Sequence, residues 1–266
     1  MMPLTVHVQG IGILGPGLTG WVQAAEVLAG RSAYAPSPIQ LPVPEALPPA
    51  ERRRAGTTIK LAFAVGFEAI RQAGADAATL RSVFSSSGGD CDNCHAILET
   101  LASADRAVSP TRFHNSVHNA PSGYWSIATA CRATTTSLCA YDGSFAAGLL
   151  EAATQVLSAQ EPCLLLTYDT PYPGPLGELR RISQPFGLAL LLVPQPAAGT
   201  LATLDLALGD SPVQGLADPA LEALRLSAPA ARGLSLLHQL ACGDTQRVAL
   251  DYLEGMSLDV RVRPAA

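Results

Sequence analysis

The sequence has few charged and aromatic residues, and it lacks a long uninterrupted apolar run. Only 15% of its 266 residues are charged and 5% are aromatic, and the formal net charge is −5. This balance leaves no basic footprint of the kind that binds nucleic acid or acidic membrane surfaces. No apolar run reaches the roughly 18 residues that a membrane-spanning helix needs. We therefore expect neither a nucleic-acid partner nor a membrane span.

A basic leader is also missing. The opening stretch MMPLTVHVQGIGILGPG has no positively charged start, and glycines and Pro16 interrupt its apolar residues. A secretory signal needs a positively charged start and an uninterrupted apolar stretch, so this segment is instead predicted to be a strand followed by a turn. Six cysteines in a chain of this length, without a secretion signal, predict reduced thiols and a cytoplasmic location.

Apolar residues, in contrast, make up 48% of the chain, and their spacing alternates between strand and helix patterns. Strands that alternate with helices predict a layered α/β fold, and no internal repeat interrupts the pattern. The predicted strands span 4–13, 81–86, 134–141, 162–168, 186–193, 200–208 and 246–262, the last with a turn near Gly255. The predicted helices span 21–29, 59–73, 91–102, 143–158, 218–226 and 232–241.

Two patterns look like haem or metal sites, but a structural explanation suits them better. CDNCH at 91–95 matches covalent haem attachment, a modification that usually accompanies export. We expect Cys91 and Cys94 to share a buried helical stripe with Leu98 and Leu101. HNSVH at 114–118 is bracketed by prolines and contains turn formers, which disfavours one helix carrying both histidines. We predict no metal and no cofactor.

The segment PTRFHNSVHNAPSGYWSI resembles a segment of the β-ketoacyl-ACP synthases, as do VQGIGILGPG, LAGRSAY and FGLALLLV in order and spacing. The matching positions in the first segment are Phe113, Asn115, Val117, Asn119, Ala120 and Gly123. The resemblance covers most of residues 1–208. It implies an α/β, thiolase-like fold equivalent to the ketosynthase N-terminal half, layered α/β/α around a mixed sheet. We expect one domain over 1–266, with 209–266 as a short divergent extension.

The string SIATAC resembles the end of the family's nucleophile motif and suggests Cys131, but the spacing favours Asp142. In the family, the nucleophile follows the position of Asn119 by about two dozen residues. Cys131 follows Asn119 by 12 positions, whereas Asp142 follows it by 23. The apolar strand that should begin about twenty residues after the nucleophile contains Leu164, 22 positions beyond Asp142. The resemblance therefore places a carboxylate where relatives carry a thiol.

Helix electrostatics agree with this register. Cys131 is predicted at the carboxyl end of a short helix, where the partial negative charge opposes thiolate formation. Asp142 is predicted at the amino end of the helix 143–158, which favours an anion, and we expect it to cap that helix. Cys139, three residues earlier on a strand, should occupy a different place.

The sequence also has too few histidines after residue 142 for the chemistry of a ketosynthase. Ketosynthases resemble one another in having two histidines that assist decarboxylation and stabilise the oxyanion, supplied by a C-terminal half. After residue 142 this sequence has only His238, in an apolar context unlike those motifs. The full family fold also needs roughly 400 residues, as two similar halves.

The resemblance therefore implies a non-catalytic subunit of the chain-length-factor type, similar to short proteins of aryl-polyene-type pigment biosynthesis. Such a subunit would pair with an active ketosynthase and shape its acyl tunnel. Acyl carrier protein would be an indirect partner, through the ketosynthase. The strand 134–141 would lie at that interface. The expected interface residues are Phe113, Asn115, Val117, Asn119, Thr136, Leu138 and Ala140. The alternative is an acyltransferase or ketosynthase-like enzyme that uses Cys131 or Cys139.

Overall fold

The strand β1 (Leu4–Gly15) runs through the interior of a nine-stranded sheet in the computed structural model, which describes residues 3–265. The remaining strands are β2 (Leu18–Thr19), β3 (Arg81–Ser85), β4 (Thr135–Leu138), β5 (Cys163–Asp169), β6 (Phe186–Val193), β7 (Ala202–Gly209), β8 (Gln246–Leu253) and β9 (Met256–Pro264). β3 pairs in parallel with β4 and β5, whereas the other neighbours are antiparallel, so the sheet is mixed. The strands β4, β3, β5, β6, β1, β7, β9 and β8 follow one another across the sheet, and the short β2 pairs with β1.

Ten α-helices lie among these strands within the described residues. They are α1 (Trp21–Leu28), α2 (Pro49–Arg54), α3 (Thr57–Ala73), α4 (Cys91–Ala102), α5 (Pro110–Asn115), α6 (Ala120–Thr129), α7 (Ser144–Ala159), α8 (Leu176–Leu179), α9 (Pro219–Ser227) and α10 (Leu234–Cys242). Two 3₁₀ turns, Tyr141–Gly143 and Pro229–Gly233, precede α7 and α10. The predicted α/β element order is confirmed. No helix in residues 3–265 combines the length and the apolarity that crossing a bilayer requires.

The sheet buries an apolar core on each face, because successive side chains of a strand point to opposite sides. On β5, Leu164 and Leu166 join the cluster built around α3 and α6. Cys163 and Leu165 join the other cluster, which contains residues of α1, α7 and α10. The α/β/α layering expected from the sequence is therefore confirmed.

The close approach of α3 to β1 depends on glycine. A Cβ atom at Gly10 or Gly12 would overlap the main-chain carbonyls of Ala69 and Val65 on α3. These glycines thus let the helix backbone lie directly on the strand. The glycines that interrupt the apolar opening of the chain are part of its core packing.

The C-terminal segment continues the same sheet. β7 pairs with β9, and β9 pairs with β8, so residues after 209 supply one edge of the sheet together with α9 and α10. β4 forms the opposite edge and pairs only with β3 within residues 3–265. This strand is shorter than the predicted 134–141, because Tyr141 already belongs to a 3₁₀ turn.

The predicted burial of the α4 stripe is wrong. The helix forms where expected and Asp90 caps it, accepting a hydrogen bond from the Asn93 amide. Leu98 and Leu101, however, are 64% and 47% exposed. Cys91 and Cys94, which continue the stripe, are only half-buried. The stripe faces outward because the C-terminal half of α4 has no core element packed over it within the described residues.

Candidate functional site

The turn between β4 and α7 is tightly constrained. Tyr141 has φ 51°, a left-handed conformation that costs a non-glycine residue about 1–2 kcal/mol. Ser144 holds the turn closed, since its Oγ accepts from the Ala140 amide and donates to the Tyr141 carbonyl oxygen. At Gly143 the turn touches the last part of β8, where the Tyr252 carbonyl leaves no room for a Cβ atom. The sequence-predicted site residue Asp142 sits in the middle of this turn.

The carboxylate of Asp142 is paired with two arginines. Arg180 Nη2 lies 2.7 Å from Oδ1 and Arg232 Nη2 lies 3.8 Å from Oδ2. The predicted capping role is wrong, because Gly143 takes the cap position of α7 and no side chain caps its amides. The 3₁₀ turn places Asp142 one residue too early, and a guanidinium is a stronger hydrogen-bond donor to a carboxylate than a neutral amide.

Arg180 makes a second contact at the same turn. Its guanidinium carbon lies 3.7 Å from the centroid of the Tyr141 ring, within the range of a cation–π interaction. The Tyr141 side chain is nevertheless 63% exposed. One arginine therefore fixes both the ring and the neighbouring carboxylate of the turn.

A chain of alternating charges continues from Asp142 into the C-terminal segment. Arg232 pairs with Asp251 on β8 at 2.9 Å, and Arg225 pairs with the same carboxylate at 3.0 Å. Arg225 also binds Glu222 at 2.8 Å, and this hydrogen bond lowers the pKa of Glu222. The network ties the turn to α9, to the 3₁₀ turn before α10 and to β8.

A fully buried carboxylate, that of Asp169, lies beneath the loop after β3. Asp169 accepts hydrogen bonds from the Ser87 amide at 2.9 Å, the Ser87 hydroxyl at 2.7 Å and the Ala230 amide at 2.7 Å. Burial raises the pKa of Asp169, and these hydrogen bonds oppose the rise in part. Asp169 thereby joins the loop to the 3₁₀ turn that carries Arg232.

The two candidate thiols lie outside the 3₁₀ turn Tyr141–Gly143 that holds Asp142. Cys131 follows α6, as predicted, and its buried thiol donates to the Leu80 carbonyl oxygen at 3.3 Å. Cys139 is exposed, and its thiol donates to the Ser87 carbonyl oxygen at 3.0 Å. His238 donates from Nδ1 to the Leu28 carbonyl oxygen at 2.7 Å, in a cavity that neither thiol lines. The structure therefore brings neither candidate thiol to His238; the cysteine beside this histidine is Cys242, whose sulfur lies 3.9 Å from both ring nitrogens.

The predicted interface residues fall into two groups. Phe113 and Val117 are 71% and 53% exposed, and Asn119 is exposed beside them. Asn115 is buried and bonds within the chain, to the Arg54 carbonyl oxygen and the Tyr124 hydroxyl. Asn115 therefore positions this segment and offers little surface of its own.

The other interface candidates follow the edge of the sheet. Thr136 accepts a hydrogen bond from Gln155 Nε2 of α7, and Leu138 packs partly against the core. Ala140 lines a cavity of about 520 Å³ between the Tyr141–Gly143 turn and the β8–β9 hairpin. These three residues lead from the unpaired edge of β4 directly to the Asp142 turn.

The two histidines of HNSVH do not share a helix, since α5 ends at Asn115. Among residues 3–265, no group of three or more His, Cys, Asp or Glu side chains is arranged to hold a metal ion.

Sequence reasoning did not identify Tyr141, Arg180 or Arg232. Arg180 lies 38 positions from Asp142, and no local motif marks such a long-range partner.

A mixed sheet covered by helices on both faces, with a strand–turn–helix that leads into a buried α7, defines the N-terminal half of a thiolase-like, ketosynthase-type fold. The family described as "Beta-ketoacyl synthase, N-terminal domain" matches residues 21–250. The chain therefore belongs to the β-ketoacyl synthase N-terminal-domain family. Comparison with curated protein sequences gave no match.

Solved structures agree with this assignment. One is a chain from the complex between a ketosynthase (ApeO) and its chain length factor (ApeC) of Xenorhabdus doucetiae. It has TM-score 0.73 and 22% identity, with coverage of 97% of this chain and 99% of that one. The ishigamide ketosynthase/chain length factor gives TM-score 0.70, 14% identity and coverage of 98% and 100%. The AntDE:AntF complex, a type II ketosynthase with its acyl-carrier protein, gives TM-score 0.76 and 11% identity, with both chains covered in full. At these identities the similarity establishes the fold.

Proposed function

We propose that this chain is a non-catalytic, chain-length-factor-type subunit that pairs with an active β-ketoacyl synthase. The observation that carries the proposal is the Asp142 carboxylate, held by Arg180 and Arg232 in the turn that leads into α7. A carboxylate is a poor acyl acceptor, because its acyl derivative would be a mixed anhydride that water destroys.

The thiols support the same function. Cys131 is buried and bonded to a main-chain carbonyl, and it follows the carboxyl end of α6, where the helix dipole opposes a thiolate. Cys139 is accessible, but no histidine in residues 3–265 lies within hydrogen-bonding distance of its thiol. An activated nucleophile needs an adjacent base, and neither cysteine has one.

The pairing surface in this proposal is the β4 edge with the adjoining exposed residues of 113–119. An unpaired strand edge exposes main-chain donors and acceptors that a partner strand can satisfy. Phe113 and Val117 add exposed apolar area beside it. A partner bound there would bring its acyl tunnel against Thr136, Leu138 and Ala140, and these side chains would shape its end. The similar structures include complexes of a ketosynthase with its chain length factor, which supports pairing with a ketosynthase.

The test is reconstitution with a β-ketoacyl synthase of the aryl polyene or type II polyketide kind, chosen from the genome that encodes this chain. Native mass spectrometry should find a 1:1 complex of the two purified subunits. Incubation with acyl-loaded carrier protein should then acylate the partner's cysteine and leave this chain unmodified. An acyl adduct on Cys131 or Cys139 would instead establish the alternative, an acyltransferase or ketosynthase-like enzyme.

A further inference from the structure

The cavity beside Asp142 has an apolar rim that the fold leaves uncovered. It measures about 520 Å³ and lies between the Tyr141–Gly143 turn, the segment after β7 and the β8–β9 hairpin. Tyr252 lines it and packs against the core, but four other large apolar side chains, from all three segments, are between 38% and 63% exposed and belong to neither core cluster; they are Tyr141, Val213, Leu253 and Met256. Exposed apolar side chains gathered around a concavity mark an interaction site.

The rim also carries surplus negative charge. Asp142 and Asp251 are neutralised by arginines, but Asp210 and Glu254 have no cationic side chain within 4 Å in the described part of the chain. Both carboxylates are exposed and both line the cavity. Such a rim favours an occupant that places lysine or arginine beside an apolar side chain.

The rim is also rigid before anything binds. Tyr141 is held at φ 51° and under the Arg180 guanidinium, and Arg180 is anchored on Asp142. A fixed aromatic ring loses little conformational entropy when it is covered, and tyrosine and arginine are enriched among the residues that dominate binding energy. The rim therefore has the residue types and the fixed conformation that are typical of the centre of a protein–protein interface.

We propose that this cavity receives an apolar side chain, flanked by a basic one, from the ketosynthase subunit. The proposal rests on the proposed function, and it adds a second contact region beyond the β4 edge. The two regions are continuous, because β4 ends at Leu138 and the turn begins at Tyr141. A partner bound along β4 reaches the rim by passing Ala140, which already lines the cavity.

The test measures the affinity of this chain for the same candidate ketosynthase, together with amide hydrogen exchange of both subunits. Complex formation should slow exchange over 141–143 and 252–257. Tyr141→Ala and Glu254→Lys should each weaken binding by about tenfold. Asp244→Lys makes the same charge change at the opposite end of β8 and should leave the affinity unchanged. Circular dichroism of each variant checks that it is folded.

The possible failures are distinguishable. If the wild-type chain does not bind the ketosynthase, the proposed function itself is overturned. If the complex forms but 252–257 stays unprotected and both variants bind normally, only the cavity proposal falls. The hairpin could instead be protected from exchange when this chain is alone in solution, with a mass that corresponds to a dimer. That result would assign the cavity to a second copy of this chain and would also overturn the proposal.

Discussion

Gly143 lies against the main-chain carbonyl of Tyr252, so closely that a Cβ atom on the glycine would overlap the oxygen. The two residues are far apart in sequence, yet their contact joins the turn before α7 to the C-terminal hairpin. The ion pairs of Arg232 with Asp142 and Asp251 bridge the same two segments. The hairpin thus lies directly against the turn that carries Asp142.

Replacing Gly143 with alanine should destabilise the protein, because the overlapping atom is main-chain oxygen and β8 must move to relieve the overlap. We expect the free energy of unfolding to fall by about 1–3 kcal/mol. Urea denaturation followed by circular dichroism measures the change. Gly123→Ala is the matched control, since a Cβ there meets nothing within 4 Å and the site is helical. A Gly143→Ala protein as stable as the wild type would show that the hairpin does not press on the turn.

Asp169→Asn should also destabilise the fold, although the two side chains have the same shape. Oδ1 accepts from Ser87 and Oδ2 accepts from the Ala230 amide, so either orientation of an asparagine amide would point a donor at a donor. We expect a loss of about 1–3 kcal/mol in the free energy of unfolding, again from urea denaturation. The exposed Asp105, changed to asparagine, should be neutral within about 0.5 kcal/mol. Equal stability of the Asp169 variant would mean that this carboxyl is not needed as a double acceptor.

The sequence predicted most of the fold because its strongest signals are local. β5 and β6 are almost wholly apolar, and α3 and α7 repeat their apolar residues at helical spacing, so their types could be read directly. The helix-end position of Cys131 was equally local. The role of Asp142 could not be read in this way, because Arg180 and Arg232 reach it from distant segments. The exposed stripe of α4 was missed for a related reason. Periodicity shows that a helix has an apolar face, but it does not tell whether the same chain covers that face.

Alkylation of the free thiols should follow their environment. Burial raises the pKa of Cys91 to about 11 and that of Cys163 to about 12. Only the thiolate reacts, so at pH 8 about one Cys91 in a thousand is in the reactive form. Timed iodoacetamide labelling with peptide mass spectrometry should therefore modify the exposed Cys139 and Cys242 first. Raising the pH to 10 should speed Cys91 labelling by about a hundredfold.

The same labelling experiment tests the alternative enzyme. The Cys131 thiol is buried and donates to a carbonyl oxygen, so it should react slowly at pH 8 in the folded protein. Labelling in 8 M urea provides the control, because all six thiols are then accessible. If Cys131 reacts faster than Cys139 in the native protein, its thiol is not buried as described, and the result would favour a catalytic role for Cys131.

Ser137→Pro should weaken ketosynthase binding and leave the isolated chain folded. The carbonyls of Thr134 and Leu138 accept hydrogen bonds from β3, so by strand alternation the Ser137 amide points away from β3 to the open edge. Proline is tolerated on an edge strand where that amide faces outward, but it removes the donor that a partner strand needs. We expect at least tenfold weaker binding by isothermal titration calorimetry, with the free energy of unfolding changed by less than about 1 kcal/mol. Ser137→Ala keeps the amide and should bind like the wild type. Undiminished binding by a folded Ser137→Pro protein would mean that the partner does not extend the sheet at β4.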